Sequence, residues 1–343
     1  MTFRKLLFIL LLLSFGCIDN FPIEDNEIKP QPVIEGLITN EPGSSFVRVS
    51  TTASLGSNST NNSLSSGAVI TVTDNNGIIT PFCEKQEGVY KPEQELFAGT
   101  VGMEYTLRIV LADDRIFEST AEKLQKPLIV DSVLVEFEPT LIEGTEQVQG
   151  NHRFFATVSS DQQDEPFFFR TSTLGIAQVA GDIQNPPPFQ CLTGEFCVEF
   201  CWSFRKPIDQ NIRIGSSRNT VNNTTTIEVG NQIYDFNSFY FMEVTVYSLN
   251  KAGFNFWQSL VDQQGIKGSI FDPQISDLAD LNIVDLETNI PVKGHFSASG
   301  VSKGSIFFNR GVSAGFNTAI PEVQFTCTEA WPNSTLEIPP QFE

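Results

Sequence analysis

Short strand-like runs, broken by turn residues every 8 to 15 positions, constrain this chain more than any other feature. Runs of that length, rich in β-branched and aromatic residues, form strands, and turns at that spacing select a sandwich over a parallel α/β sheet. Residues 33–39, 46–50 and 68–73 are such runs. Asp74-Asn75-Asn76-Gly77 then predicts a hairpin turn, because Asn-Gly tolerates positive φ. Ile78-Ile79 begins the return strand, Gly88-Val89-Tyr90 opens another, and 105–111 is the longest of this set. Residues 53–67 are rich in Ser, Asn, Gly and Thr and read as a loop. Pro127 predicts a boundary. Beyond it, 129–137, 154–158, 167–171, 224–229, 239–249, 292–299 and 305–309 read as strands. Residues 174–190, with Gly181 and Pro186-Pro187-Pro188, read as a long loop. One helix fits 250–264: Asn250 can cap it, Phe254, Trp257, Leu260 and Val261 share a face, and Gly265 can close it. The expected fold is mainly β. An immunoglobulin-like β-sandwich over 33–126 precedes a second, larger β-sandwich-like domain over 127–343 with one packed α-helix. The length of 343 residues suits two such domains.

Paired aromatics recur: Phe154-Phe155, Phe167-Phe168-Phe169, Phe239-Tyr240-Phe241 and Phe307-Phe308. Neighbours on a strand point to opposite faces, so one ring of each pair leaves the core. Those rings either cover a second layer, such as the helix, or form a binding surface.

The start of the chain carries an address. Arg4 and Lys5 precede an unbroken apolar run over 6–13, which has signal-peptide length and is too short to span a bilayer. Ser14-Phe15-Gly16-Cys17 follows and resembles a lipobox, with Leu13 one place further back than usual. The resemblance implies cleavage after a signal peptide of residues 1–16 and acylation of Cys17, a palmitate-type anchor. Residues 17–32 then form an anchor and linker with Pro22, Pro30 and Pro32. Losing Arg4 and Lys5 takes the net charge from -20 to -22. Asp19, Glu24, Asp25 and Glu27 behind the cysteine resemble an export signal of Bacteroidota surface lipoproteins. The expected location is the outer membrane, lipid-anchored and displayed at the surface, with the periplasmic face as the alternative.

With 21 Lys and Arg against 41 Asp and Glu, the chain lacks the cations that nucleic-acid binding requires. Export permits disulfides among Cys191, Cys197, Cys201 and Cys327, whose pairing the sequence leaves open, with Cys83 left over. A zinc site at Cys197 and Cys201 lacks a second ligand pair, since His152 and His295 are the only histidines. No metal and no cofactor is therefore expected. Asp272, Asp277, Asp280, Asn282 and Asp285 form an oxygen-rich stretch without the spacing of a calcium loop and read as solvated. No P-loop, GxGxxG or G-x-S-x-G motif occurs, and neither histidine has a local nucleophile, so no catalytic residue is named and no enzyme is expected.

Several stretches, taken in order, resemble a Bacteroidota outer-membrane lipoprotein family of unknown function. They are residues 33–39, Gly67 to Asp74, Gly88-Val89-Tyr90, Cys201-Trp202, Tyr247-Ser248-Leu249 through Phe256-Trp257 to 268–273, and Gly294-His295-Phe296-Ser297-Ala298-Ser299. Leu281-Asn282-Ile283 stands where that family has Gly-Asn-Ile. The resemblance implies a non-catalytic accessory or substrate-binding partner of a TonB-dependent receptor. A surface adhesin or structural sandwich is the alternative, and a secreted hydrolase on a β scaffold the further one. The surface that meets a partner is not legible in the sequence.

Overall fold

The computed structural model describes residues 30–52, 63–141, 148–162, 165–182, 198–206, 212–218, 220, 223–235, 238–264, 277–314 and 326–342. The strands of the first half are Pro32–Thr39 (β1), Phe46–Thr51 (β2), Ser63–Leu64 (β3), Val69–Asp74 (β4), Ile79–Gln86 (β5), Val89–Pro92 (β6), Glu104–Val110 (β7), Ile116–Ser119 (β8), Glu122–Lys123 (β9), Ile129–Leu141 (β10) and Val148–Ser159 (β11). Those of the second half are Phe168–Asp182 (β12), Val198–Arg205 (β13), Arg213–Ser216 (β14), Thr224–Ile233 (β15), Phe239–Leu249 (β16), Ile283–Asp285 (β17), Lys293–Ser299 (β18), Val301–Asn309 (β19) and Ser334–Thr335 (β20). The fold is mainly β, with the Lys251–Gln264 helix set among the later strands.

The first sheet has eleven strands, in the order β17-β8-β7-β4-β5-β6-β2-β1-β18, with β3 on β2 and β9 on β7. Alternate residues of these strands fill one core, in which Ile34, Ile38, Val47, Leu107, Phe117 and Phe296 are sealed from water. The hairpin turn forms at Asp74–Gly77, where Gly77 takes a positive φ and Asp74 Oδ1 accepts from the Asn76 and Ile78 amides, 2.9 Å each. Membership of this sheet departs from the division expected at Pro127. β17 and β18, placed by the sequence in the second domain, belong to the first sheet. The reason lies in β1: β2 covers one edge as a hairpin partner, and the other is filled by β18 in parallel, Gly36 opposite Phe296. A parallel partner needs a long crossover, so it must come from far along the chain. Two glycines permit this contact. A Cβ on Gly36 would lie 2.7 Å from the Phe296 ring, and Gly294, at φ +114, passes so close to the Ile34 carbonyl that a side chain there has no room.

The second half packs a three-stranded sheet, β10-β11-β15, onto a six-stranded one, β19-β16-β12-β13-β20 with β14 on β12. Phe154, Val158, Phe169, Val179, Tyr240, Val244 and Val246 lie buried in the core they share. The long loop expected over 174–190 is corrected in its first part: β12 runs on to Asp182. Its inward residues there are Gly175, Ala177 and Val179, and two of the three are too small to read as an apolar beat. A Cβ on Gly175 would meet the Tyr240 hydroxyl. β8, β9, β13, β14, β17 and β20 were not anticipated, and β3 forms at Ser63–Leu64 within the stretch read as a loop. The helix begins where expected, with Asn250 Oδ1 accepting from the Gly253 amide at 2.7 Å. Gly265, its expected stop, lies outside the described residues.

The two halves meet along a polar seam. Val301 N donates to Asn40 Oδ1 at 2.7 Å and Lys303 pairs with Glu41 at 2.6 Å. Asn282 binds the Phe296 amide at 2.9 Å and its carbonyl at 2.8 Å, acting as a one-residue strand partner between β17 and β18. Its amide also donates to Glu122, which Asn250 of the helix cap holds from the other side at 2.7 Å.

Candidate functional site

The outer face of the six-stranded sheet sorts into rows, because residues opposite one another on adjacent strands share a face. At one end Arg170 faces Tyr247, which faces Val301. Next come Ser172, Thr245 and Lys303, then Leu174, Glu243 and Ser305. The far row is Phe204, Ile176, Phe241 and Phe307, crossing four strands in register.

The helix closes the first end. Phe168 packs on Phe254 with ring centroids 4.9 Å apart, and Arg170 lies between Tyr247 and Trp257. The far end carries a thinner cover. β20 pairs only Trp202 and Ser203, and Phe342 sets its ring edge against Phe307 at 5.2 Å and near Trp202 at 6.2 Å. Trp202, Phe241 and Ile176 are buried beneath. Around them Phe200, Phe204, Phe239 and Phe307 stay 42–49% exposed, with Leu336 and Ile338 beside them still more open. Phe239 and Phe307 stack at 5.4 Å and 11°. Exposed aromatic rings gathered on one rigid sheet face are the chemistry of a protein contact: large apolar area with little side-chain entropy to lose.

The outward rings divide between cover and exposure. Phe168 covers the helix layer, whereas Phe239 and Phe307 remain open. Phe155 takes a third course, lying under the Arg153 guanidinium at 5.2 Å.

The remaining sequence candidates fall elsewhere. Cys17, Cys191 and Cys197 lie outside the described residues. Cys201 is bonded to Cys327, Cα atoms 6.0 Å apart, which ties the C-terminal segment to β13. Its sulfur is thereby committed and is no metal ligand. Cys83 is free and exposed on β5. His152 is completely buried on β11 among Phe137, Tyr234 and Phe308. Burial and, next, the Arg310 charge push its pKa down to about 4. His295 stacks on Phe256 of the helix at 4.8 Å, and burial lowers it to about 4 as well, against the opposing influence of Asp280. Both rings are thus neutral packing groups at neutral pH.

The oxygen-rich stretch also disperses. Asp280 accepts from Asn255, Asp285 caps its own turn, and Asn282 is buried, contrary to the solvated reading. Asp272 lies outside the described residues. Burial raises the Glu122 carboxyl, while its bonds to Asn282 and Asn250 work the other way. Among the described residues no three His, Cys, Asp or Glu side chains gather in a way that could hold a metal ion. None of the described helices is long and apolar enough to cross a membrane.

Residues 18–305 match the family model of a domain of unknown function, DUF4249. The chain belongs to the DUF4249 family. The match takes in the helix, Asn282 and strands of all three sheets as far as Ser305, so the contact of β1 with β18 is part of the DUF4249 region. β20 and Phe342 lie beyond it. No curated relative matches the chain. The aromatic row was not legible as a site, because its members come from four strands and lie as far apart in the chain as Ile176 and Phe307. Phe342 gave no signal at all, since it sits in a short polar tail without periodicity.

Proposed function

We propose that this protein is a non-catalytic lipoprotein, anchored in the outer membrane through Cys17, that docks onto a TonB-dependent uptake receptor by the aromatic end of its second sheet. The observation that carries the reading is the open row of Phe204, Phe239 and Phe307 beside a single covering ring, Phe342. Such a row is too apolar to face water without a partner and too flat to enclose a small ligand. A partner of the same membrane suits it. The linker over 17–32 reaches about 20 Å as a coil, which holds the row near the bilayer and raises the local concentration of any neighbour there. The net charge, -20 for the full chain and -22 once Arg4 and Lys5 are lost, gives the rest of the surface a repulsion toward other acidic proteins.

Capture of the protein from native outer membranes in mild detergent tests this. A stoichiometric β-barrel receptor is expected, and Phe239→Ser with Phe307→Ser should deplete it while the protein stays folded. Recovery of the protein alone, with Cys17 acylated, overturns the reading in favour of an independent adhesin or hydrolase.

A further inference from the structure

The seam between helix and sheet holds a cation without a counter-ion. Arg170 projects from β12, its guanidinium carbon 4.2 Å from the centroid of the Tyr247 ring and 4.8 Å from that of Trp257. Such stacking returns about 2 kcal/mol in a dry setting, whereas removing an ion from water costs several kcal/mol. The guanidinium donates no hydrogen bond to a described residue. Glu35, on β1, is the acidic group that acts on it, and that carboxylate already holds Arg48 at 2.7 Å.

Two donors on these stacked side chains are left over. Arg170 Nε and Trp257 Nε1 are both buried, and neither meets an acceptor. Neither group can accept, so they cannot satisfy one another. Buried polar atoms are paired almost everywhere in folded proteins, so orphans gathered at one seam mark a missing group. A water would answer a donor but not the charge. Arg170 as a whole is only partly buried, so the end of its fork is the part an incoming ion can reach.

We propose that Arg170 and Trp257 form an oxyanion-binding site at this seam, taking a carboxylate or a phosphate. The guanidinium fork matches either group with two parallel bonds, and the flanking rings hold the fork in plane. Arg218, over the Phe168 ring at 5.5 Å, adds a second cation along the seam. The site lies at the opposite end of the sheet face from the aromatic row and does not depend on the docking reading above.

The test uses the intact protein in detergent, titrated with succinate, inorganic phosphate or chloride at constant ionic strength. Melting temperature and tryptophan emission are followed. Expected is a saturable rise and an emission change with succinate or phosphate and none with chloride. The half-saturation concentration should increase at least about tenfold in Arg170→Gln, equivalent to ~1.4 kcal/mol, and several-fold in Trp257→Phe. Tighter binding of succinate assigns carboxylate as the natural group, and tighter binding of phosphate assigns phosphate. Equal responses to chloride, or an unchanged midpoint in Trp257→Phe and in whichever of Arg170→Gln and Arg170→Lys folds, overturn the proposal.

Discussion

One sheet face is finished in two ways. Its Arg170 end lies under a fourteen-residue helix that packs Phe254 on Phe168 and lays Trp257 over the guanidinium. Its Phe307 end lies under a short tail that contributes one ring, and four phenylalanines around that ring keep nearly half their surface in water. The same strands, β12 and β16, run through both ends, so strand chemistry does not make the difference. What differs is the element that follows. After β16 the chain turns into a helix capped by Asn250, which Glu122 of the first half also holds, so the cover is tied to two sheets. The tail is tied at Cys201–Cys327 and by two residues of β20. A cover held at both ends acts as structure, and one held at one end leaves the surface beneath available.

The largest effects are expected from acid, which acts on the helix end and on the core beneath the sheet through one histidine each. His295 lies under the helix, and His152 lies beneath Phe308 in the core on the inner side of the same sheet. Both ordinarily titrate near 6.5 and are held down to about 4 in the fold. The native state therefore binds fewer protons than the unfolded chain between those values. Stability is fully present above pH 6.5 and is lost as pH falls toward 4, by about 3 kcal/mol for each ring. Glu122 works in the opposite sense, because burial raises it and its protonated form favours the fold. Urea unfolding from pH 7.5 to 4 should show the fall. His295→Phe, which keeps the stack on Phe256, should remove about half of it. An unchanged slope in that variant would show that the helix end does not exclude protons.

Phe168→Ala comes next. It empties the space between β12 and the helix, and a buried phenyl lost from such a place costs about 3 kcal/mol. A fall in melting temperature together with loss of the Arg170–Trp257 stack is expected, the latter seen in tryptophan emission. A loss below about 1 kcal/mol would make the helix a loose cover like the tail.

The sequence made β16 of this face legible, β12 and β19 in part and β13 and β14 not at all, and it showed the covers only in part. The 239–249 strand was predicted within its observed bounds, because Tyr240, Met242, Val244 and Val246 alternate without a break. β12 was cut short because Gly175 and Ala177 point inward and hide the beat. The helix was found, but Phe256 was not among its expected packing residues. That helix packs on two sides, Phe254 and Trp257 toward β12 and Phe256 toward His295, so its apolar residues do not form one stripe. β18 read correctly as a strand, yet nothing local reveals that it lies beside β1. Such pairing rests on the fit of Gly36 to Phe296, which no window of sequence contains. The tail was missed because a single ring in a polar segment has no period.

Removing residues 340–343 tests the thin cover. The Phe342 ring contributes edge contacts with Phe307 and Trp202, worth about 1 kcal/mol together. A small drop in melting temperature is expected, with a red shift in emission as Trp202 meets water and with new binding of a hydrophobic dye. A drop as large as that of Phe168→Ala would make the two covers equivalent and remove the reason to read this end as a docking surface.

The smallest effect on stability, and the one that weighs most on function, belongs to Phe239→Ser. Phe239 is 42% exposed and its ring stacks on Phe307. Its loss should cost no more than about 1 kcal/mol of stability. The same change at the centre of a protein contact removes an aromatic anchor, and receptor capture should weaken at least about tenfold, or ~1.4 kcal/mol. The two numbers have to be read as a ratio. A residue that merely shields the core loses binding only as far as it loses fold, so both measurements would fall together. A docking residue loses binding while the melting curve hardly moves. Phe168→Ala is the internal standard for the first pattern, since its ring is sealed under the helix and faces no partner. If Phe239→Ser matches that pattern, the open row is unfinished packing and the contact with the receptor lies on another face.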